Sequence, residues 1–323
     1  FVPVASGARK NRSTWERWAA HTENLPGRGL WTAWNTWVMA KREVRPGEDW
    51  FGGDSRYDIL QTSILSQICL PICAEPPGDV PVLFGGITET IEEDTLRDFF
   101  KGGVLVDSEA LDVLTRRGLG HLAGVRIQKR LDNGVVECFT DDPLNGPFAG
   151  EIRDARVEFW GKALGKADLL EPVRPGVQIL ATMQDYFKRP LGACMTAYEN
   201  ELGGRVVVMG YAPWMFLHSL PKVTQMHSLA DWLSRDRLPV RVSAKDMVVP
   251  FIRLSDDRTR GGLILFNAGM EAVENTVVEL RANVSEVQLL GKSNLSLPVE
   301  PTQNGIRFTI PLLEAWSTTF LLF

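Results

Sequence analysis

The stretch VPVLFGGITETIEEDTLRDFFKGGVLVDSEALDVLTRRGLGHLAGV, residues 80–125, decides the fold class of this chain. Its pattern predicts a strand, a loop, a helix, a second strand and a second helix in succession. The second strand contains Val104–Val106, a short apolar run of the kind that is buried on both faces of a parallel sheet. The middle of the protein is therefore predicted to be α/β.

The helix ends in this stretch carry their own signals. Thr90 and Glu93 have the spacing of a capping box at the start of the first helix. Gly102 and Gly103 are expected to end that helix, because glycine adopts positive φ at little cost. Asp107 or Ser108 is expected to cap the next helix, which Gly118 closes.

The rest of the central region predicts further elements of a domain that spans 53–240. The run YDILQTSILSQICL, from Tyr57, predicts a helix that Pro71 ends, and PICAE predicts the first sheet strand. Residues near 126–172 are rich in turns and strand-like pieces, which indicates an insertion or a small excursion of the sheet. The α/β pattern resumes with GVQILATM, with LGACMTAYENELGGRVVVMGY and with a helix around VTQMHSLADWLSRDR.

The last part of the chain, 241–323, changes to short strands. Ile306, Phe308 and Ile310 alternate with Arg307 and Thr309, as in a strand with one buried face. Turn signals separate several such runs, and this pattern predicts a C-terminal antiparallel β-sandwich.

The N-terminal segment, 1–52, holds six of the ten tryptophans. Two interpretations remain open. Trp31, Trp34, Asn35 and Trp37 predict a carbohydrate-binding platform, because flat aromatic faces pack on sugar rings while amide groups bind their polar rims. Alternatively, Trp31 and Trp34 recur with Val38 at helical spacing, which indicates packing in a core.

Composition excludes several classes of protein. A net charge of -5, with arginines scattered among acids, argues against a nucleic-acid partner. The longest apolar runs are shorter than the roughly 18 residues of a membrane span, so no membrane partner is expected. Four cysteines in 323 residues do not form a disulfide framework, which favours a cytoplasmic location without settling it.

No catalytic residue, metal site or cofactor is predicted. Cys194, in LGACMTAYEN, is the nearest candidate nucleophile, but no small residue and glycine follow it and no His-x-Glu pair would activate it. Cys69 and Cys73 straddle Pro71 and lack two further metal ligands. Gly85 and Gly86 predict either an anion nest or, more simply, a tight turn.

Two stretches carry a resemblance to a known family. The sequences GRGLWTAWNTWVMAKREVRPGEDWFGGDSRYD, 27–58, and GGVLVDSEALDVLTRRGLGHLAGV, 102–125, resemble the region after the catalytic barrel in bacterial glycoside hydrolases related to the family 42 β-galactosidases. The resemblance implies a flavodoxin-like, class I glutamine-amidotransferase-like parallel sheet followed by a C-terminal β-domain. It also implies a homo-oligomer assembled through the α/β domain.

This resemblance implies a role in support and assembly rather than in catalysis. A barrel needs about 250 residues, whereas only about 55 precede the α/β domain, so both catalytic carboxylates cannot lie in a barrel within this chain. We therefore expect the chain to be a piece of a longer polypeptide whose barrel binds the carbohydrate. The alternatives are a carbohydrate-binding protein that uses the N-terminal tryptophans and a cysteine-dependent amidohydrolase.

Overall fold

The computed structural model describes residues 12–32, 68–73, 78–131, 135–155, 167–211, 219–242, 247–291 and 294–323. The α-helices among them are α1 (Arg12–Thr22), α2 (Glu93–Phe99), α3 (Ser108–Arg116) and α4 (Leu220–Ser234). Three 3-10 helices cover Gly85–Thr90, Gly120–Ala123 and Pro143–Phe148. None of the described helices is long and apolar enough to span a membrane.

The described strands are numbered along the chain. They are β1 (Gly27–Arg28), β2 (Leu30–Thr32), β3 (Ile72–Cys73), β4 (Val80–Leu83), β5 (Gly103–Asp107), β6 (Val125–Leu131), β7 (Val135–Phe139), β8 (Ile152–Ala155), β9 (Ala167–Pro172), β10 (Gln178–Gln184), β11 (Pro190–Glu199), β12 (Arg205–Met209), β13 (Val240–Val242), β14 (Val248–Leu254), β15 (Gly261–Asn267), β16 (Val273–Leu280), β17 (Val287–Leu289), β18 (Leu295–Leu297), β19 (Val299–Thr302), β20 (Gly305–Leu313) and β21 (Thr318–Leu322).

The chain divides into two compact units. The first, here called the β unit, contains the described residues of Phe1–Trp31, Leu65–Asp79 and Arg237–Phe323. The second, called the α/β unit, contains those of Thr32–Ile64 and Val80–Asp236. The described N-terminal residues therefore group mainly with the C-terminal strands.

The α/β unit is built on a mixed sheet with the strand order β4-β5-β12-β11-β10-β7-β8. Strands β4, β5 and β12 are parallel, and β5 is buried along its whole length. The predicted parallel sheet is confirmed for these three strands, but β7, β8, β10 and β11 of this unit pair antiparallel with their neighbours, so the prediction is wrong for these four. The reason is that short turns join β10 to β11 and β11 to β12, and only antiparallel strands can be joined in this way.

The helix starts differ in how well they follow the sequence signals. Asp107 caps α3 through a bond from the backbone N–H of Ala110, as predicted. The predicted capping box is wrong, because Thr90 belongs to the 3-10 helix Gly85–Thr90 and the N-cap residue of α2 is Glu92, without a side-chain bond. The intervening turn at Ile91 moves the helix start beyond the reach of Thr90.

The helix ends show two uses of glycine. Gly118 has a φ of 76° after α3, as predicted. Neither Gly102 nor Gly103 has a positive φ, so that reason for their presence is wrong. At Gly103 the requirement is close packing, because a Cβ there would lie 2.0 Å from the carbonyl oxygen of Leu233 in α4.

Several predicted elements fall only partly within the described residues. Of the predicted helix from Tyr57, only residues 68–70 are described, and they form a turn. The strand predicted in PICAE is confirmed as β3, which pairs parallel with β2. The turn-rich region near 126–172 contains the antiparallel pair β7 and β8 and the outlying strand β6, which pairs with β9.

The β unit consists of two antiparallel sheets. The six-stranded sheet has the order β1-β14-β15-β21-β17-β18, and the four-stranded sheet has the order β13-β16-β20-β19. Apolar side chains from both sheets form one buried cluster, which includes Val248, Leu265, Val278 and Phe308. The alternation along β20 is confirmed, since Ile306, Phe308 and Ile310 are buried. The β-sandwich predicted for this region is thus present, with β1 added from the N-terminal segment.

Helix α1 covers part of the outer face of the six-stranded sheet. Trp18 packs with Ile264, Leu290 and Phe320. This approach requires Gly262, because a Cβ there would lie 2.5 Å from Nε1 of Trp18. Trp15 stacks on Trp18 with ring centroids 5.6 Å apart. Two of the N-terminal tryptophans therefore anchor this helix on the sheet.

Candidate functional site

The carboxyl ends of parallel strands are where α/β proteins usually hold ligands and catalytic groups. In this chain those ends belong to β4, β5 and β12. Two sets of buried polar side chains follow them. Asp107 ends β5, and Tyr211 lies two residues beyond β12. These two residues define the candidate site.

Asp107 connects two of the strand ends. Its Oδ1 and Oδ2 lie 2.9 and 3.0 Å from the backbone nitrogen of Gly85, which donates to the carboxylate after β4. Oδ1 also accepts from the N–H of Ala110 at 2.7 Å. Burial raises the pKa of Asp107 to about 7, although the hydrogen bonds from Ala110 and Gly85 act in the opposite direction.

The geometry at Gly85 distinguishes between its two predicted roles, an anion nest and a tight turn. Gly85 has a φ of 65° and its N–H points at Asp107. The protein's own carboxylate therefore takes the place that an external anion would occupy in a nest. The tight-turn interpretation fits the observed arrangement at this residue.

The second set centres on an ion pair that is fully buried. Lys222 Nζ in α4 donates to Oε1 of Glu137 in β7 at 2.9 Å, and neither side chain is exposed. Tyr211 Oη donates to the same oxygen at 2.5 Å. Lys222 Nζ also lies 5.0 Å from the ring centre of Tyr211 and 5.3 Å from that of Phe139, close enough for cation–π attraction.

The ammonium group of Lys222 has further acceptors. It donates to Oε1 of Gln225 at 2.6 Å and to the sulfur of Met195 at 3.4 Å. Together with Glu137, these groups match the three donors of a lysine ammonium. Gln225 in turn donates to Asn145, whose amide donates to the backbone carbonyl of Leu180 at 2.9 Å. We call Glu137, Asn145, Tyr211, Lys222 and Gln225 the buried network.

Burial limits the chemistry that the buried network can perform. All five side chains are inaccessible to solvent. The charges of Lys222 and Glu137 compensate each other, and the remaining hydrogen-bonding groups are directed at protein atoms. Such an arrangement satisfies the rule that buried charges are paired and hydrogen-bonded. It joins α4, β7 and the segment after β12.

The residues predicted for a sugar platform are only partly described. Trp31 is 5% exposed and lies in β2, beside Cys73 of β3, so the helical spacing suggested for it does not apply. Trp34, Asn35 and Trp37 lie outside the described residues. The platform stays a prediction.

None of the four cysteines forms a disulfide bond. Cys194 lies inside β11, away from any strand-to-helix turn, and is fully buried. Cys69 and Cys73 are also buried. Within the described ranges, no three His, Cys, Asp or Glu side chains are grouped so as to hold a metal ion. Cys194 thus has the surroundings of a packed core thiol.

Sequence reasoning did not identify the buried network. One signal was available, because Glu137 interrupts the apolar strand VVECF and Lys222 follows directly on a proline in α4. Charged residues in such positions are buried only when they are paired. The partner of each could not be named, since the two are 85 residues apart.

Comparison with known proteins gives a likeness in structure alone. No protein-family model matches the chain, and no curated protein matches it in sequence. The α-L-fucosidase isoenzyme 2 from Paenibacillus thiaminolyticus is similar with a TM-score of 0.64 and 13% identity, over 98% of this chain and 51% of that chain. A cold-adapted β-galactosidase from Rahnella sp. R3 is similar with a TM-score of 0.54 and 12% identity, over 92% of this chain and 41% of that chain.

The chain therefore spans about half the length, or less, of these two enzymes. At such identities the likeness concerns the fold. The chain has a fold that also occurs in parts of glycoside hydrolases.

Proposed function

We propose that this chain is the non-catalytic portion of a β-galactosidase-like glycoside hydrolase, and that it supports and assembles a catalytic barrel that precedes it. In this proposal the α/β unit is a variant of the amidotransferase-like domain that follows the barrel in relatives of the family 42 enzymes. The likeness to two glycosidases over nearly the whole chain supports it.

The observation that carries the proposal is that the described polar side chains at the carboxyl edge of the α/β sheet are bonded within the protein. A catalytic domain needs reactive groups that meet a substrate there. Here Asp107 is bonded to Gly85 and Ala110, and Tyr211, just after β12, is bonded to Glu137 of the buried network. Both arrangements stabilise the unit, which suits a supporting domain.

A second part of the proposal is self-association through the α/β unit. The turn between β10 and β11 exposes two aromatic side chains, Tyr186 at 54% and Phe187 at 81%. Asp185 fixes this turn, because its Oδ1 accepts from the N–H groups of Phe187 and Arg189, each at 2.9 Å. An ordered aromatic tip of this kind binds a partner with little loss of conformational entropy.

The catalytic part of the proposal is tested with the chain alone. We expect no turnover of 4-nitrophenyl β-D-galactoside or 4-nitrophenyl α-L-fucoside, because glycoside hydrolysis needs two carboxyl groups at a fixed separation across one bond. Turnover that a single Glu→Gln substitution in this chain abolishes would contradict the proposal. A reading frame upstream that encodes a barrel would support it, and a start codon immediately before Phe1 would contradict it.

Self-association is tested by light scattering after size-exclusion chromatography. We expect the chain to form oligomers and Phe187→Ala to shift them towards monomers, because hot-spot aromatic residues dominate interface energy. Val173→Ala is the matched control, since Val173 is a large exposed apolar residue of the same unit, at 45%. Equal oligomer content in both variants and the parent chain would exclude this turn as the interface.

A further inference from the structure

The β unit contains a group of arginines around one buried acid. Arg28, Arg237, Arg258 and Arg281 form what we call the arginine cluster, and Asp79 is the acid. The side chain of Asp79 is 10% exposed, and its Oδ2 accepts from the N–H of Gly29 at 2.6 Å. Arg28 Nη1 lies 3.8 Å from Oδ1 of Asp79. Burial raises the pKa of Asp79, against the lowering effects of Gly29, Arg28, Arg258 and Arg237.

Arg258 is fixed in place by backbone groups. It has a φ of 60° in the turn between β14 and β15. Its guanidinium donates to the carbonyl oxygen of Arg281 at 3.1 Å and to that of Arg237 at 2.8 Å. A guanidinium has five N–H donors in a planar fork, so donors remain beyond these two bonds.

The arginines of this group differ in their ion pairs. Arg28 forms ion pairs with Asp79 and with the exposed Asp256. Among the described residues, no ion pair joins Arg237 or Arg258 to a carboxylate. Burial lowers the pKa of Arg258, and the neighbouring charges of Arg28, Arg237 and Arg281 lower it further despite Asp79. Arg258 is thus a partly buried cation that backbone carbonyls fix in place and that more cations than acids surround.

From this arrangement we infer that the arginine cluster is a binding site for a phosphate-type oxyanion, held mainly by Arg237 and Arg258. A tetrahedral dianion accepts charge-assisted hydrogen bonds from several guanidinium groups at once and relieves their mutual repulsion. Arg258 is oriented beforehand by two carbonyl oxygens, which lowers the entropy lost on binding. This site goes beyond the proposed supporting function and does not depend on it.

The test uses inorganic phosphate as the probe. Phosphate binding to the whole chain is measured by isothermal titration calorimetry at pH 7.5, with sodium chloride added to hold ionic strength constant. We expect saturable binding with one site per chain. Arg237→Gln, at an exposed position, should weaken phosphate binding by about tenfold or more, the value for one lost charge-assisted bond.

The control is Arg260→Gln, which removes an exposed arginine of the same turn whose side chain is outside the cluster. It should leave phosphate affinity unchanged. Arg258→Lys keeps the positive charge but loses the planar set of N–H donors. It should weaken phosphate binding, provided that the circular dichroism spectrum of the variant matches that of the parent chain. Absence of saturable binding, or equal losses in Arg237→Gln and Arg260→Gln, would overturn the inference.

Discussion

Two ion pairs, one in each unit, show how burial changes what a pair of opposite charges does. Lys222 and Glu137 of the α/β unit are both fully buried. Arg307 and Glu279 of the β unit are 47% and 42% exposed and sit opposite each other on β20 and β16. Water solvates either member of the exposed pair if its partner is removed, but no water is available to the buried one. Removing one member of the buried pair should therefore destabilise the fold strongly, whereas the exposed pair contributes little.

The largest effect is expected when one member of the buried pair is removed. Lys222→Met keeps the approximate length of the side chain and leaves Glu137 without its cation. We expect the free energy of unfolding to fall by about 3 to 5 kcal/mol, as for other broken buried pairs. Urea unfolding monitored by circular dichroism measures this change.

The control for Lys222→Met combines it with Glu137→Gln. The neutral amide oxygen still accepts from Tyr211, and no uncompensated charge remains. This double variant should recover at least about half of the lost stability. If it is less stable than Lys222→Met, the pair is not the source of the loss.

The second effect, which depends on pH, is expected at Asp107, a buried acid that forms no ion pair with any residue the structure describes. Its pKa is raised from 3.8 to about 7 in the folded chain. Between these values the native state binds more protons than the unfolded state, so this residue makes stability fall as pH rises from about 4 to 7.

Asp107→Asn keeps an N-cap acceptor and removes the titration. The stability of the parent relative to Asp107→Asn should therefore decline with rising pH, by at most about 1.4 kcal/mol per pH unit. Unfolding curves for both proteins, measured at pH values about one unit apart from about 4.5 to about 7.5, give this slope directly. Differences that stay constant over this range would show that Asp107 does not titrate there.

The smallest effect is expected at the exposed pair. Arg307→Ala should lower the free energy of unfolding only slightly, because water solvates both members of this pair. The difference from the parent chain should shrink in about 1 M sodium chloride, because salt screens exposed charges. A loss as large as that of Lys222→Met would remove the distinction between the two pairs.

The sequence permitted a good prediction wherever local signals decide the structure. The strands β4 and β5, the cap at Asp107 and the positive φ of Gly118 all depend on residues within a few positions of each other. The alternation along β20 likewise reflects one buried face and one exposed face. In these places local preference and tertiary packing agree.

The remaining features depend on residues far apart in the chain. The antiparallel half of the sheet was missed because apolar runs such as those of β10 and β11 suit a buried strand in either direction. The reason for Gly103 was missed because Leu233, whose carbonyl approaches it, belongs to a helix near residue 230. The Lys222–Glu137 pair required knowledge of which strand lies under α4.

The position of α1 on the last strand of the β unit also has a consequence for biosynthesis. His21 of α1 lies 3.4 Å from the carbonyl oxygen of Phe323, and 302 positions separate the two in sequence. At about 5 to 20 residues per second, a ribosome needs about 15 to 60 s to add that many residues. During that interval Trp15 and Trp18 lack the strand that covers them in the finished protein. The aromatic side chains of α1 therefore stay uncovered until residues 318–322 have been synthesised.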